Sequence, residues 1–295
     1  MSITPWQPNP LDSQLIDLAF AEDLGLPYSD VTTMALFPNT NHNIGKASIL
    51  SKHSEPIVIC GLPIVQMIFE KLSDQCDVQS VFQDGEKLAS GETLLLVTGP
   101  AQALLMAERT LLNFLQHLSA IATLTRRFVN QIEHTKTSIL DTRKTLPGLR
   151  HLEKYAVYCG GGVNHRMGLY DAIMVKDTHI DLLGGIHHAL DKLTSNATKN
   201  LPVIVEIRTQ QELEVVLQKG LQKVTRVLLD NMSLELMQNC VAMCQQIMPT
   251  EASGNIHLNN VAAVAQTGVD FISIGRLTHS AGNVDLSMKC DFSDA

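Results

Sequence analysis

Between residues 138 and 275 the chain repeats one pattern, a short and mostly apolar strand-like run followed by a segment with helical spacing. The runs are SILDT (138–142), AIMVK (172–176), VIVEI (203–207), RVLLD (226–230), TEAS (250–253) and FISIG (271–275). From the third to the sixth, their starts lie roughly 21 to 24 residues apart, the repeat of a βα unit. Strands apolar on both faces belong in a parallel sheet covered by helices. The region is therefore α/β, a parallel barrel or a doubly wound sheet. Six runs are too few for a regular eight-stranded barrel, so an incomplete or irregular one is expected.

The chain upstream has a different rhythm. Residues 1–10 hold three prolines and read as a loose arm. LDSQLIDLAFAEDLG (11–25) has helical apolar spacing, and the strand-like runs ASILSK, PIVICG, VQSVF and TLLLVTG follow between turn residues. These form a smaller α+β region up to about residue 100. A long helical pattern from Ala101 to His134, without internal proline or glycine, leads into the repeats.

At 295 residues the chain exceeds what one typical core supports. No apolar run approaches the ~18 residues of a membrane span. No basic segment precedes an apolar one near the N-terminus, so a cytoplasmic protein without membrane partners is expected. The six cysteines form no dense framework. Cys240 and Cys244 have helical i,i+4 spacing but sit among Val241, Ala242 and Met243, and they read as small buried thiols rather than a metal pair.

Charge is unevenly placed. Residues 136–176 hold seven Lys/Arg (136, 143, 144, 150, 154, 166, 176) against three acids (141, 153, 171). That window is +4, which leaves −12 for the rest of a chain whose net charge is −8. An acidic chain repels a polyanion, so nucleic acid is not the expected partner. A small, highly charged anion in a recessed site fits the basic window better.

The strand ends sharpen this. The first run leads into Arg143 and Lys144, the second ends in Lys176 and the third carries Glu206. The fourth ends in Asp230, the fifth in Ser253-Gly254 and the sixth in Gly275. In parallel α/β barrels the C-terminal strand ends carry the active site. Either glycine turn presents free backbone N–H groups suited to a phosphate. GGGVNHR (160–166) lets backbone approach a ligand and delivers His165 and Arg166 beside the cations. Glu206 and Asp230 either pair with those cations or hold Mg²⁺ bridged to a ligand's oxygens. A substrate bearing both carboxylates and phosphates would use the whole set.

These residues resemble the quinolinate phosphoribosyltransferase family nearly end to end. The resemblance runs through EDLGLPYSDVTT (22–33), AERTLLNFLQHLSAIATLT (107–125) and the highly specific DTRKTLPGLRHLEKYAVYCGGGVNHRMGLYDAIMVKD (141–177). It continues in LLDNM (228–232), EASGNIHLNNV (251–261) and TGVDFISIGRLTHS (267–280). It implies an N-terminal α/β sandwich domain (1–115, joined by the C-terminal segment 281–295) and an incomplete α/β barrel (116–280). VDLSMKC would return to the first domain as a strand.

The implied reaction joins quinolinate to phosphoribosyl pyrophosphate, giving nicotinate mononucleotide, pyrophosphate and CO2, with Mg²⁺ required. By that resemblance Arg143, His165, Arg166 and Lys176 bind quinolinate, and Arg109 reaches into a neighbouring subunit's site, making a homodimer the catalytic unit. Whether dimers assemble further stays open. Lys144 and Lys176 meet the pyrophosphate, and Glu206 and Asp230 hold ribose hydroxyls and metal. Ser253, Gly254 and Gly275 take the 5′-phosphate, and His279 is a further substrate-binding residue. Arg109, Asn113 and Gln116 share one helix face, as a polar contact surface would. The chain departs from the family pattern at Thr178, Ile204 and Arg276. Three rivals remain: a relative using another pyridine, a non-catalytic phosphoribosyl pyrophosphate sensor, and a Schiff-base aldolase using Lys144 or Lys176.

Overall fold

The structure is a computed structural model that describes residues 6–36, 44–193 and 201–292. The part of the proline-bearing arm over 1–5 lies outside them. From the N-terminus the elements are α1 (Pro10–Leu24), α2 (Val31–Leu36), β1 (Ile44–Ser51), β2 (Ile57–Val58), α3 (Leu62–Leu72), β3 (Asp77–Ser80), β4 (Lys87–Leu88), β5 (Thr93–Pro100) and α4 (Ala101–Gln131). There follow β6 (Ser138–Leu140), α5 (Arg150–Cys159), β7 (Ile173–Val175), α6 (Asp177–Leu182), α7 (Ile186–Lys192), β8 (Val203–Ile207) and α8 (Gln210–Lys219). The chain closes with β9 (Arg226–Asp230), α9 (Leu234–Cys244), β10 (Thr250–Ser253), α10 (Val261–Gln266), β11 (Phe271–Ser273), α11 (Arg276–His279) and β12 (Leu286–Asp291).

The contacts divide the chain into two compact units. The first comprises residues 1–124, 146–161 and 280–295. Its antiparallel sheet runs β12-β1-β5-β3, beside a β2-β4 ribbon. The C-terminal β12 pairs antiparallel with β1, Ala47 opposite Cys290. Along β1, Ala47, Ile49 and Ser51 are buried in alternation, the period of a pleated strand with one face on a core. The helix α1 starts in a capping box between Asn9 and Asp12 and buries Ile16 and Phe20. Most of the long α4, up to Leu124, packs in this unit, and its polar side chains fasten the β2 segment. Ser119 Oγ accepts from Cys60 N–H at 3.1 Å and Thr123 Oγ1 from Val58 N–H at 2.8 Å. Residues 116–124 and 146–161 thus cluster with the first unit, although the sequence reading places them beyond residue 115.

Gln116 also does something the sequence reading did not foresee. It lies on no solvated polar face: its amide donates to Leu286 O at 2.9 Å and so clasps β12. Asp84 accepts from Gly61 N–H, Leu62 N–H and Tyr155 O–H at 3.0–3.1 Å, capping α3. With Cys60 and Cys159 it forms the one group of three potential metal ligands found among the described residues. That carboxylate is saturated by donors, and burial pushes the Cys60 thiol well up, so the trio is a packed cap. Cys240 and Cys244 are buried thiols, burial raising Cys244 to about 11; Cys76 and Cys290 are only half-buried.

The second unit, residues 125–145 and 162–279, holds the six-stranded parallel sheet, ordered β6-β11-β10-β9-β8-β7. The first strand pairs with the last, Ile139 opposite Ile272, as in a closing barrel. The consecutive strands β6 and β7 do not pair; between them Val163 makes a single parallel bridge to Leu140. The barrel is therefore incomplete at the position of the glycine-rich 160–166 segment. Val203, Val205, Ile207, Val227 and Leu229 are fully buried, and Ile204 and Leu228 on the opposite face are nearly so. At about 1.5–3 kcal/mol per buried aliphatic side chain, burial on both faces holds the sheet and frees its strand ends for polar work.

Candidate active site

The C-terminal ends of β6–β11 and their following loops enclose a cleft of about 1020 Å³. Pleating decides what lines it, because alternate strand residues face the same side. Met174 and Lys176, Leu228 and Asp230, Glu251 and Ser253, and Ser273 and Gly275 line it as i,i+2 pairs, with Glu206 from β8.

The loop after β6 is pinned through its backbone. Lys144 N–H donates to Thr142 Oγ1 at 3.1 Å, and Lys144 O accepts from Thr278 Oγ1 at 2.6 Å. The Lys144 stem runs over Gly275, where an added Cβ would lie 2.8 Å from Lys144 Cδ and 3.4 Å from His279 Nε2. Gly275 has no positive φ. It is glycine for room rather than for an unusual backbone.

Arg143 and Arg166 sit close enough to repel. Burial and then the Arg143 charge lower the Arg166 pKa, with Asp171 pulling the other way. Arg166 Nη1 donates to Ala172 O at 2.9 Å, and Asp171 folds the loop by accepting from Met167 N–H and Gly168 N–H at 2.6 and 3.0 Å. Two neighbouring guanidiniums make a seat for an anion, whose charge relieves their repulsion.

Opposite charge logic holds at β8 and β9. Burial, followed by the charges of Asp230 and Asp177, raises the Glu206 pKa, while Lys176 and the Asp177 N–H offset part of the rise. The Asp230 carboxylate accepts from Asn231 Nδ2 at 2.8 Å, and Asn231 Oδ1 accepts from Asn255 Nδ2 at 3.1 Å. Asn231 N–H also donates to Ser253 O at 2.9 Å. These bonds knit the end of β9 to the turn after β10, where Gly254 has φ +98° and Asn255 +52°.

The family model described as "Quinolinate phosphoribosyl transferase, C-terminal domain" matches residues 121–289, and that for the N-terminal domain matches residues 30–119. The chain belongs to the quinolinate phosphoribosyltransferase family. It is 40% identical over 283 residues to the "probable nicotinate-nucleotide pyrophosphorylase [carboxylating]" of Bacillus subtilis, covering 95% of this chain and 94% of that one. It is 39% identical over 292 residues to the "quinolinate phosphoribosyltransferase [decarboxylating] 1b" of Nicotiana tabacum, covering 94% and 81%. The solved nicotinate-nucleotide pyrophosphorylase of Francisella tularensis superposes with a TM-score of 0.89 at 35% identity, over 97% of this chain and 98% of that chain. The two-domain α/β fold with an incomplete barrel is thus that of the family.

Of the residues singled out in the sequence, Arg143, Lys144, His165, Arg166, Lys176, Glu206, Asp230, Ser253, Gly254, Gly275 and His279 all line the cleft. Arg109 belongs to the first unit, on the outer face of α4, with its side chain 59% exposed. Two carboxylates were passed over. Asp141, with no exposure, accepts from Asn164 Nδ2 at 2.6 Å and His165 N–H at 2.8 Å. Glu251, equally buried, lies 3.0 Å from Arg226 Nη1 and 3.4 Å from His165 Nε2. A signal existed for Glu251, since it is two residues before Ser253 and shares its face. Among the departures, Ile204 is buried in β8, opposite Met174 and Arg226, Thr178 is exposed, and Arg276 is exposed at the cleft.

Proposed function

We propose that this chain transfers the phosphoribosyl group of phosphoribosyl pyrophosphate to the ring nitrogen of quinolinate and releases CO2, giving nicotinate mononucleotide and pyrophosphate. The observation that carries the reading is the division of charge in one cleft: a repelling guanidinium pair on one side, a repelling carboxylate pair on the other. Quinolinate has two adjacent carboxylates, which suit two guanidinium forks. Arg143 and Arg166 hold them, Lys176 stands beside them, and His165 braces the Arg166 backbone. Lys144 and Lys176 face the departing pyrophosphate, and the turns at Ser253-Gly254 and Gly275, with His279, take the 5′-phosphate.

Glu206 and Asp230 are hard oxygen donors whose mutual repulsion a divalent cation relieves, so Mg²⁺ fits there. Two carboxylates suit an ion that keeps waters and substrate phosphate oxygens in its shell. When bound, Mg²⁺ supplies charge neutralisation at the pyrophosphate. As the C1′–O bond to pyrophosphate breaks, the ribosyl ring gains positive character that the two carboxylates stabilise, while Lys144 and Lys176 stabilise the departing charge. The pyridine nitrogen then bonds to C1′. Its new positive charge stabilises the electron pair left on the ring when the 2-carboxylate leaves as CO2, and that pair takes up a proton from water to give nicotinate mononucleotide, so decarboxylation follows transfer.

Quinolinate labelled at its 2-carboxylate is expected to release labelled CO2 in step with nicotinate mononucleotide, and nicotinate offered in competition is expected to be ignored. Tight phosphoribosyl pyrophosphate binding without product would favour a sensor or a different pyridine.

We further propose a homodimer in which Arg109 serves the neighbouring subunit's cleft. The exposure of Arg109 on α4 supports this. Arg109→Ala and Lys144→Ala chains, each inactive alone, are expected to regain about a quarter of wild-type activity when mixed, since half the dimers hold one intact site. No gain after demonstrated subunit exchange would overturn the shared site. No described helix is long and apolar enough to cross a membrane; a cytoplasmic enzyme that binds no nucleic acid is the reading we favour.

A further inference from the structure

We propose that Glu251, buried in β10, is a positioning residue for quinolinate binding, acting through His165 on Arg166. The inference rests on the function proposed above. An ionised carboxylate with no solvent exposure is costly to bury unless well paired. An aliphatic residue at this position would avoid that cost, so the carboxylate calls for a local reason.

Its partners come from three directions. Arg226 Nη1 on β9 donates at 3.0 Å, and Ser273 Oγ on β11 donates to Oε1. Arg226 is itself held, its guanidinium 4.0 Å from the Phe271 ring centre. Glu251 is therefore rigid before it meets the loop. That same Oε1 lies 3.4 Å from His165 Nε2. Burial alone would raise its pKa, but the neighbouring His165 ring, then Ser273 and Arg226, hold it below the ordinary value. It is thus an anion at neutral pH.

The other ring nitrogen fixes the direction of the effect. His165 Nδ1 accepts the Arg166 backbone N–H at 2.7 Å, which assigns the ring proton to Nε2, facing Glu251. Nδ1 is committed to the Arg166 backbone, whereas Nε2 is buried 3.4 Å from Glu251 Oε1 without completing a well-formed hydrogen bond, and the side chain is only 6% exposed. The ring acts as a strut between a rigid carboxylate and the backbone of Arg166. Without the carboxylate the ring can rotate, and the Arg166 backbone loses its acceptor. The guanidinium that meets the substrate's carboxylate then loses its placement, and small misplacements of binding groups are costly.

The experiment compares steady-state kinetics of wild type, Glu251→Gln and the double variant Glu251→Gln/Arg226→Gln, each checked for its thermal midpoint. The double variant restores charge balance if the single one fails to fold. The expected result is a KM for quinolinate raised about tenfold or more, with the KM for phosphoribosyl pyrophosphate within about twofold of wild type. A merely structural role would lower the thermal midpoint and leave the ratio of the two KM values unchanged, which would overturn the proposal. Wild-type protein that fails to turn over quinolinate would overturn the function reading and this inference with it. Wild-type turnover with an unchanged KM ratio overturns the inference alone.

Discussion

Lys144→Ala is expected to fold as the wild type does and to lose about 10²–10³-fold in kcat, the usual cost of removing one positioned group that stabilises developing charge. The two halves of that result have separate causes. The backbone of residue 144 is held by Thr142 Oγ1 and Thr278 Oγ1, neither of which depends on the lysine side chain. That side chain is exposed, and substitutions of exposed side chains usually change stability by no more than about 0.5 kcal/mol. The ammonium is placed by its stem, which crosses Gly275 with no room for a Cβ between them. Its charge is needed most as the pyrophosphate leaves, so kcat and kcat/KM should fall together. Lys144→Arg should recover little, because a planar fork does not follow the path of the flexible stem. A kcat within threefold of wild type in the folded alanine variant would remove Lys144 from the chemistry. Borohydride trapping should leave the protein unmodified, against a Schiff-base role.

The barrel was legible because its physical demand is severe. A parallel strand covered on both faces must be apolar throughout, and β8 and β9 announce themselves as VIVEI and RVLLD. Polar residues at their C-terminal ends, Glu206 and Asp230, were legible for the same reason, as exceptions to that demand. The N-terminal unit was harder. PIVICG yields only a two-residue strand, because Cys60 N–H bonds to the α4 residue Ser119 instead of a neighbouring strand. The helix α3 follows at once and was not read, its N-terminus being capped by Asp84, twenty-two residues downstream of Leu62. No local pattern shows such a cap. Strand order was also hidden: nothing near residue 163 reveals that β6 turns away from β7 to pair with β11.

The site was partly legible on the same terms. Residues ending an apolar run stood out, whereas Glu251 and Asp141 did not, since their importance lies in partners far along the chain. Gly275 was found for one reason and proved to matter for another, the close passage of Lys144. Gly254 combines both reasons, and that makes it the sharpest steric test in the molecule.

Gly254→Ala is expected to raise the KM for phosphoribosyl pyrophosphate by about tenfold or more, because a misplacement of about 1 Å can cost as much as 10²-fold. Its φ of +98° lies in a region that costs a residue with a Cβ about 1–3 kcal/mol. Its added Cβ would lie 2.2 Å from Asn231 Oδ1, a distance no relaxed contact permits, so Asn231 must move. Asn231 cannot move alone, since its Nδ2 binds Asp230 and its Oδ1 binds Asn255. A methyl group at the phosphate turn thereby displaces the carboxylate proposed to hold ribose and metal. The double variant Gly254→Ala/Asn231→Gly separates the two causes: it removes the collision but leaves the backbone strain. Its thermal midpoint should lie between those of wild type and the single variant, while its KM stays high because Asp230 has lost its amide partner. A single variant with wild-type KM for phosphoribosyl pyrophosphate would show that the turn after β10 does not bind the phosphate, and would move that role to the turn at Gly275.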